Sequence, residues 1–348
     1  MSRILSGIRP SGDLHLGNYL GAIQQWLALQ DRYEVFYMVA DLHAITTPYQ
    51  PKDLPTLVRN TVIDYLAAGL DPTKATIFIQ SHIPAHSQLM WLLGTVTPVG
   101  ELQRMIQFKE KSEQHADYQN AGILNYPIMM AADILAYKPE SVPVGDDQDQ
   151  HVEIARDLAK KMNRLFGTSF PEPKTLHTSG KRIMDLVHPD QKMSKSLSGG
   201  ILLNDSPDAI EKKLKKSVSS AEPRVIREAM KAAKAGAKAA DREWKGDANL
   251  QKQFHGVRNL FTILLALGSE EQVDHWDALA ETGELKFSEF KPALATIIAD
   301  HFAPFRERRA KFTADTKLVD KVMAEGATKA SAVAEATLLE VQQKMGLR

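Results

Sequence analysis

Two stretches of the chain group residues that could hold a polyphosphate. Lys192-Met193-Ser194-Lys195-Ser196 sets two ammonium groups and two hydroxyls within five residues. Such groups can surround a triphosphate and offset the charge that builds on a leaving pyrophosphate. Read alone, a basic loop of this kind fits plain solvent exposure as well. Near the amino terminus a short apolar run leads into Ser6-Gly7-Ile8-Arg9-Pro10-Ser11-Gly12-Asp13-Leu14-His15-Leu16-Gly17-Asn18, after which Leu20, Ile23 and Leu27 set a helical period. Strand, glycine-rich loop and helix in that order offer unpaired backbone N–H groups and a positive dipole end to an approaching phosphate. Neither the GxGxxG nor the P-loop spacing occurs, which excludes the dinucleotide and Walker fingerprints. On spacing alone, a structural turn is an equally good reading.

Other residues are chemically suggestive but ambiguous. Asp133 sits in an apolar helical window, where a carboxylate can cap a helix, pair with a cation or face a ligand. His43 follows a buried-looking strand, a place where a histidine is commonly structural. Met130, Val142 and Val144 read as core packing. The absence of cysteine excludes a disulfide scaffold, a thiolate zinc site, an iron–sulfur cluster and a cysteine nucleophile.

The elements that must position these residues follow from periodicity. Residues 4–8, 34–40 and 76–80 read as strands and 142–144 as a fourth, while Leu54, Leu57, Val58, Val62 and Leu66 form a helical stripe. This alternation predicts an α/β fold, a doubly wound, Rossmann-like parallel sheet whose ligands bind beyond the carboxyl ends of the strands. From Pro207 onward the chain reads as Ala-, Lys- and Glu-rich helices without a strand, predicting an all-helical carboxyl-terminal domain. The expected division is 1–200 and 201–348. Residues 211–246 hold eleven Lys or Arg against five Asp or Glu, including Lys212, Lys213, Lys215, Lys216, Lys231, Lys234 and Lys238. Solvated helix face and RNA contact are balanced readings of that stretch.

Composition bounds the rest. The 348 residues are 43% hydrophobic and 25% charged, ordinary for a globular protein of two domains. Lys plus Arg equals Asp plus Glu, 43 each, so any nucleic-acid contact must come from a local patch rather than a global field. The amino terminus lacks the long apolar run of a signal peptide, and no stretch approaches the roughly 20 apolar residues of a membrane span. A cytoplasmic protein is expected.

The pentapeptide at 192–196, together with His15-Leu16-Gly17-Asn18, resembles the paired signatures of class I aminoacyl-tRNA synthetases. The resemblance narrows to tryptophanyl-tRNA synthetases through residues 6–21, where the family usually carries an alcohol and isoleucine at His15-Leu16. It continues in Ala40-Asp41-Leu42-His43-Ala44-Ile45-Thr46, in residues 101–111, in residues 126–135, in Val142-Pro143-Val144-Gly145-Asp146-Asp147-Gln148-Asp149-Gln150-His151 and in residues 287–309. It implies ATP-dependent activation of tryptophan and its transfer to tRNA(Trp). His15, Asn18, Lys111, Lys192 and Lys195 are then the residues acting on the phosphates. ATP is expected on Arg9, Ser11, Gly17, Asn18, Gly145, Asp147 and residues Lys192, Met193, Ser194, Lys195 and Ser196. Tryptophan is expected on Leu5, Gly7, His43, Tyr126, Met130, Asp133, Val142, Val144 and Gln148, with Asp133 accepting the indole N–H, a donor-only group.

The resemblance further implies magnesium bridging ATP oxygens rather than a metal held by the protein. It also implies a homodimer, with an insertion at about 82–135 as its interface, and a helical domain that reads the anticodon. No side-chain base is needed, because the substrate carboxylate is already a nucleophile and catalysis is positioning plus charge stabilisation. Arg9 stands where many members have glutamine, and Leu5 where many have an aromatic. Residues 223–246 differ from the family's compact segment and receive no role. The alternatives are a tyrosyl-tRNA synthetase, against which residues 142–151 argue, and an inactive RNA-binding relative, against which the intact phosphate-contacting residues argue.

Overall fold

The structure is a computed structural model that describes residues 2–105, 120–144, 149–177, 181–194, 199–236 and 247–348, with only the backbone at Val144 and His177. β1 (Arg3–Ile8), β2 (Glu34–Val39), β3 (Ala75–Ile79), β4 (Ser141–Val144) and β5 (Lys174–His177) form one parallel sheet in the order β3-β2-β1-β4-β5. The sequences of β2, EVFYMV, and β3, ATIFI, are nearly continuous apolar runs, as a parallel sheet covered on both faces demands. All four strands expected from the sequence form. β5, Lys-Thr-Leu-His, escaped that reading because an edge strand with a single strongly apolar residue carries little pattern. The strand order reverses between β1 and β4, the place where a doubly wound sheet opens a ligand crevice.

The chain packs as two compact units, each made of discontinuous segments. The first comprises Met1–Gly12, Trp26–Thr178 and Lys311–Arg348; the second comprises Asp13–Gln25 and Ser179–Ala310. This is a division by packing, and its bounds are not those of the expected division, 1–200 and 201–348.

In the first unit the helices Ala85–Gly94, Ala121–Ala136 and Asp149–Phe166 pack with one another beside the sheet. Leu5, Phe36, Phe78, Ala132, Leu135 and Val142 belong to one buried cluster. The long helix Thr316–Lys344 lies against β3 and covers the edge of the sheet, which would otherwise present unpaired N–H and C=O groups. It approaches so closely that a Cβ at Gly326 would fall 1.7 Å from the carbonyl oxygen of Ile77. Gly326, Ala330 and Ala334 repeat every four residues, so one stripe of small side chains makes the approach possible.

The second unit is helical, with Pro207–Lys215, Pro223–Ala235, Ala248–Leu267, Glu270–Thr282 and Phe287–His301 among its elements. Their ends are written in the sequence. Ser206 caps the Ala209 N–H with Pro207 following at the first helical position, and Gly283 closes another helix in the left-handed conformation at φ 80°. Beyond Pro207 the described residues form helices and their connections, as expected. No described helix is long and apolar enough to cross a membrane.

Candidate active site

Tyr126, Met130 and Asp133 are spaced i, i+4 and i+7 on the helix Ala121–Ala136, so they share one stripe. Leu5 and Gly7 come from β1, and Val142 and Val144 from β4, on either side of the point where strand order reverses. The register Ile4↔Ser141 sets Leu5 beside Val142. Gly7 is exposed although it lies on the central strand, and a Cβ there would fall 2.7 Å from the Met38 carbonyl oxygen. The backbone is thus left bare beside the pocket residues, a position that no larger side chain could occupy without displacing β2. Leu5, Gly7, His43, Tyr126, Met130, Asp133 and Val142, with the backbone of Val144, all belong to the first unit.

Asp133 is the electrostatic centre of this cluster. It is fully buried, yet both of its oxygens are engaged. Gln80 Nε2 donates to Oδ1 at 2.8 Å and to Oδ2 at 2.9 Å, His43 Nε2 to Oδ2 at 2.8 Å, and His86 Nδ1 to Oδ1 at 2.5 Å. A carboxylate can only accept, so both histidines must carry their proton on the nitrogen that faces it. The Gln80 amide is likewise fixed, because its oxygen accepts from the Leu42 N–H at 3.0 Å. Burial alone would raise the Asp133 pKa. Hydrogen bonds from His43 and His86, with their attraction for the charged form, outweigh it and hold the carboxyl well below the usual range. Deeper still, His86 Nε2 meets the Tyr137 hydroxyl at 2.8 Å. On the other side of the helix stripe, Tyr126 OH pairs with His151 Nε2 at 2.9 Å. Sequence reasoning found Asp133 and His43 but missed Gln80, His86 and Tyr137. The available signal was spacing, since Tyr137 continues the 126, 130, 133 stripe by four residues.

The second unit assembles the two phosphate-type loops. The His15 N–H donates to Asn18 Oδ1 at 3.2 Å and the Asn18 N–H to His15 Nδ1 at 3.3 Å, a reciprocal capping box. With Nδ1 accepting, the imidazole proton sits on Nε2, the nitrogen able to donate to an anion. The turn Tyr19–Ile23 that follows is a π-helical stretch inside the expected helix. The described start of the lysine segment, Lys192 and Met193, closes a narrow antiparallel turn, with Met184 bridged to Lys192, the Met193 N–H on the Ile183 carbonyl at 3.0 Å, and the Asp185 N–H on the Gln191 carbonyl at 2.9 Å. Buried Asn259 clamps both main-chain groups of Met184, at 2.8 and 2.9 Å. A Cβ on Gly17 would crowd the His15 ring at 3.0 Å from Nδ1 and would meet Met193 Cβ at an ordinary contact distance of 3.5 Å, so the glycine lies where the two segments approach. His15, Gly17, Asn18, Lys192, Met193 and Ser194 are thereby gathered in this unit, whereas Arg9 and Ser11 belong to the first. Lys111, Gly145, Asp147, Gln148, Lys195 and Ser196 lie outside the described residues, as does 237–246.

Much of the basic stretch is internally paired. Lys213 reaches Asp205, Lys215 Glu211, Lys231 Glu228 and Glu281, and Lys234 Asp277. Lys212 and Lys216, four residues apart on one helix face, are exposed. Among the described residues no group of three or more His, Asp or Glu is arranged to hold a metal ion.

Comparison with known proteins agrees with this geometry. The chain is 43% identical to tryptophan–tRNA ligase 2 of Streptomyces avermitilis, covering 99% of this chain and 96% of that protein. It is 40% identical to the tryptophan–tRNA ligase of Clostridium tetani, covering 99% and 95%. Among solved structures, tryptophanyl-tRNA synthetase from Mycoplasma pneumoniae superposes with a TM-score of 0.81 at 33% identity, over 100% of this chain and 98% of that one. The Campylobacter jejuni enzyme, complexed with ADP and tryptophan, gives 0.80 at 30% identity, over 99% and 100%. The family model described as tRNA synthetases class I (W and Y) matches residues 1–303, spanning the bare strand, the buried carboxylate and both loops, and the chain belongs to that family.

Proposed function

We propose that the chain is a tryptophan–tRNA ligase, which condenses tryptophan with ATP to the adenylate, releases pyrophosphate and transfers tryptophan to the terminal adenosine of tRNA(Trp). The observation that carries this reading is Asp133, a buried and ionised acceptor on the helix stripe of Met130, which packs against the apolar cluster of Leu5 and Val142. An indole offers one donor and no acceptor, so it is satisfied there and nowhere left unpaired. The His43 side chain is 11% exposed whereas that of His86 is fully buried. His43 is therefore the displaceable donor, and the indole N–H takes the Asp133 Oδ2 position that His43 holds in the free enzyme.

His15 Nε2, Asn18, Lys192 and Lys195 are the groups for the ATP phosphates, with Lys111 assisting the pyrophosphate and Arg9, Ser11, Gly17, Gly145, Asp147, Met193, Ser194 and Ser196 completing the nucleotide site. Magnesium bound with ATP would add positive charge at the phosphates that His15, Lys192 and Lys195 serve. Chemistry needs in-line attack of the tryptophan carboxylate on the α-phosphate, with charge offset by these cations. Tyr126 and Gln148 serve the ammonium end of tryptophan. Residues 1–200 carry this chemistry and 201–348 the tRNA contacts, in the cytoplasm and as a homodimer. The test is aminoacylation: purified enzyme should charge tRNA(Trp) with tryptophan and leave tRNA(Tyr) uncharged with tyrosine. Charging with tyrosine, or no charging at all, defeats the proposal.

A further inference from the structure

We infer that His86 and Tyr137 are positioning residues for side-chain recognition, a buried Tyr137–His86 chain that holds Asp133 aimed at the substrate's ring N–H. The inference deepens the tryptophan reading and rests on it. Three side chains bond the carboxylate and Tyr137 stands behind one of them, and their exposures sort them into two kinds. Gln80, His86 and Tyr137 are each completely buried, and only His43 reaches the open side. A displaceable His43 leaves Asp133 to be held by Gln80 and His86 alone once the indole is bound.

His86 can hold it in only one tautomer. Its Nδ1 must donate to Asp133 Oδ1, so a neutral ring needs a donor at Nε2, and Tyr137 OH stands there at 2.8 Å. Burial, reinforced by the charge of Asp133, keeps the Tyr137 phenol protonated and thus a donor. Tyr137 is itself fixed by rings on either side, Phe36 at 4.7 Å and Phe78 at 5.3 Å between centroids. The chain therefore runs from a hydroxyl locked in the aromatic core, through one imidazole tautomer, to the oxygen pair that meets the substrate. Such a hydrogen-bonded series fixes direction as well as charge.

The test compares tryptophan with 3-benzothienyl-L-alanine, an isostere in which sulfur replaces the ring N–H, by amino-acid-dependent pyrophosphate exchange. Parent enzyme should favour tryptophan by about 10-fold in kcat/KM, the lower end of the worth of a hydrogen bond to a charged acceptor, because the indole replaces His43. Tyr137→Phe keeps the ring packing and removes only the hydroxyl. His86→Asn keeps a donor near Nδ1 and loses the link to Tyr137. Each should cut the preference about 3- to 10-fold, through kcat/KM for tryptophan, with kcat/KM for the isostere little changed. His86→Leu, which lacks both links, should cut it further, with His86→Asn recovering part of the loss. General loosening of the fold would lower both substrates together and leave the ratio alone. An unchanged ratio in Tyr137→Phe and His86→Leu overturns the inference. A parent that does not distinguish the two substrates places the acceptor elsewhere, and a parent inactive with tryptophan refutes the function itself.

Discussion

Replacing Asp133 by alanine removes an acceptor that already serves four hydrogen bonds in the free enzyme, and that crowding decides the size of the effect. Were one oxygen position vacant, the indole N–H would add a whole charge-assisted bond, worth up to about 3 kcal/mol or about a hundredfold in kcat/KM. Instead the indole exchanges with His43, whose ring then meets water at the open side of the pocket. The net gain falls to the lower end of the range, about 1.5 kcal/mol. Asp133→Ala should accordingly lower kcat/KM for tryptophan about tenfold and narrow the preference over phenylalanine by a similar factor. Phenylalanine has no donor to take the place of His43, so it gains nothing from the carboxylate in the parent, and the advantage of tryptophan disappears with the acceptor. The variant also strands the buried donors of His86 and Gln80, at about 1–3 kcal/mol each, so activity must be read well below its unfolding temperature. Pyrophosphate exchange with both amino acids, normalised by active-site titration, gives the answer. If both rates fall while their ratio stays fixed, Asp133 is a structural carboxylate and the recognition argument is wrong.

Lys192→Ala should slow single-turnover adenylate formation about a hundredfold while tryptophan affinity, measured by calorimetry without ATP, stays unchanged, because the ammonium meets charge that develops with the leaving pyrophosphate. Charge reversal of exposed Lys212 and Lys216 should raise KM for tRNA and lower the slope of log affinity against log salt by about one per lost contact, with pyrophosphate exchange intact; an unchanged slope returns that helix face to mere solvation. Gly326→Ala should destabilise the fold by about 1–3 kcal/mol in chemical denaturation, since its methyl would overlap the Ile77 carbonyl of β3 and the helix must lift. Asp133 has its native pKa depressed below the unfolded value of about 3.9. Its contribution is complete above that pH and drains away as pH falls toward the native value, so the stability gap between parent and Asp133→Asn should shrink below about pH 4.

The strands that carry the pocket were legible because a buried parallel sheet needs uninterrupted apolar runs, and Phe36, Met38, Ile77 and Phe78 supply them. Asp133 and His43 were legible only as types with several readings, since nothing in a sequence shows that a histidine 90 residues away closes on a carboxylate. His86 was invisible for the same reason, since the role of this histidine exists only through contacts made across the fold. β5 was missed because Lys174 and His177 dilute an edge strand that packing, rather than composition, completes. Discontinuity of the packing units is equally unreadable in one dimension, for residues 13–25 and 311–348 each join a unit remote from their neighbours in sequence. The loop pair was legible as a pair of motifs, and the structure adds the reason for Gly17, whose missing Cβ leaves room for the His15 ring.

The central claim is that this site activates tryptophan, and amino-acid-dependent exchange of pyrophosphate into ATP tests it without tRNA or mutation. With each of the twenty amino acids offered singly to the purified enzyme, tryptophan should support rapid exchange, and tyrosine and phenylalanine should fall to background. Exchange driven by tyrosine, or none with any amino acid, would contradict the account.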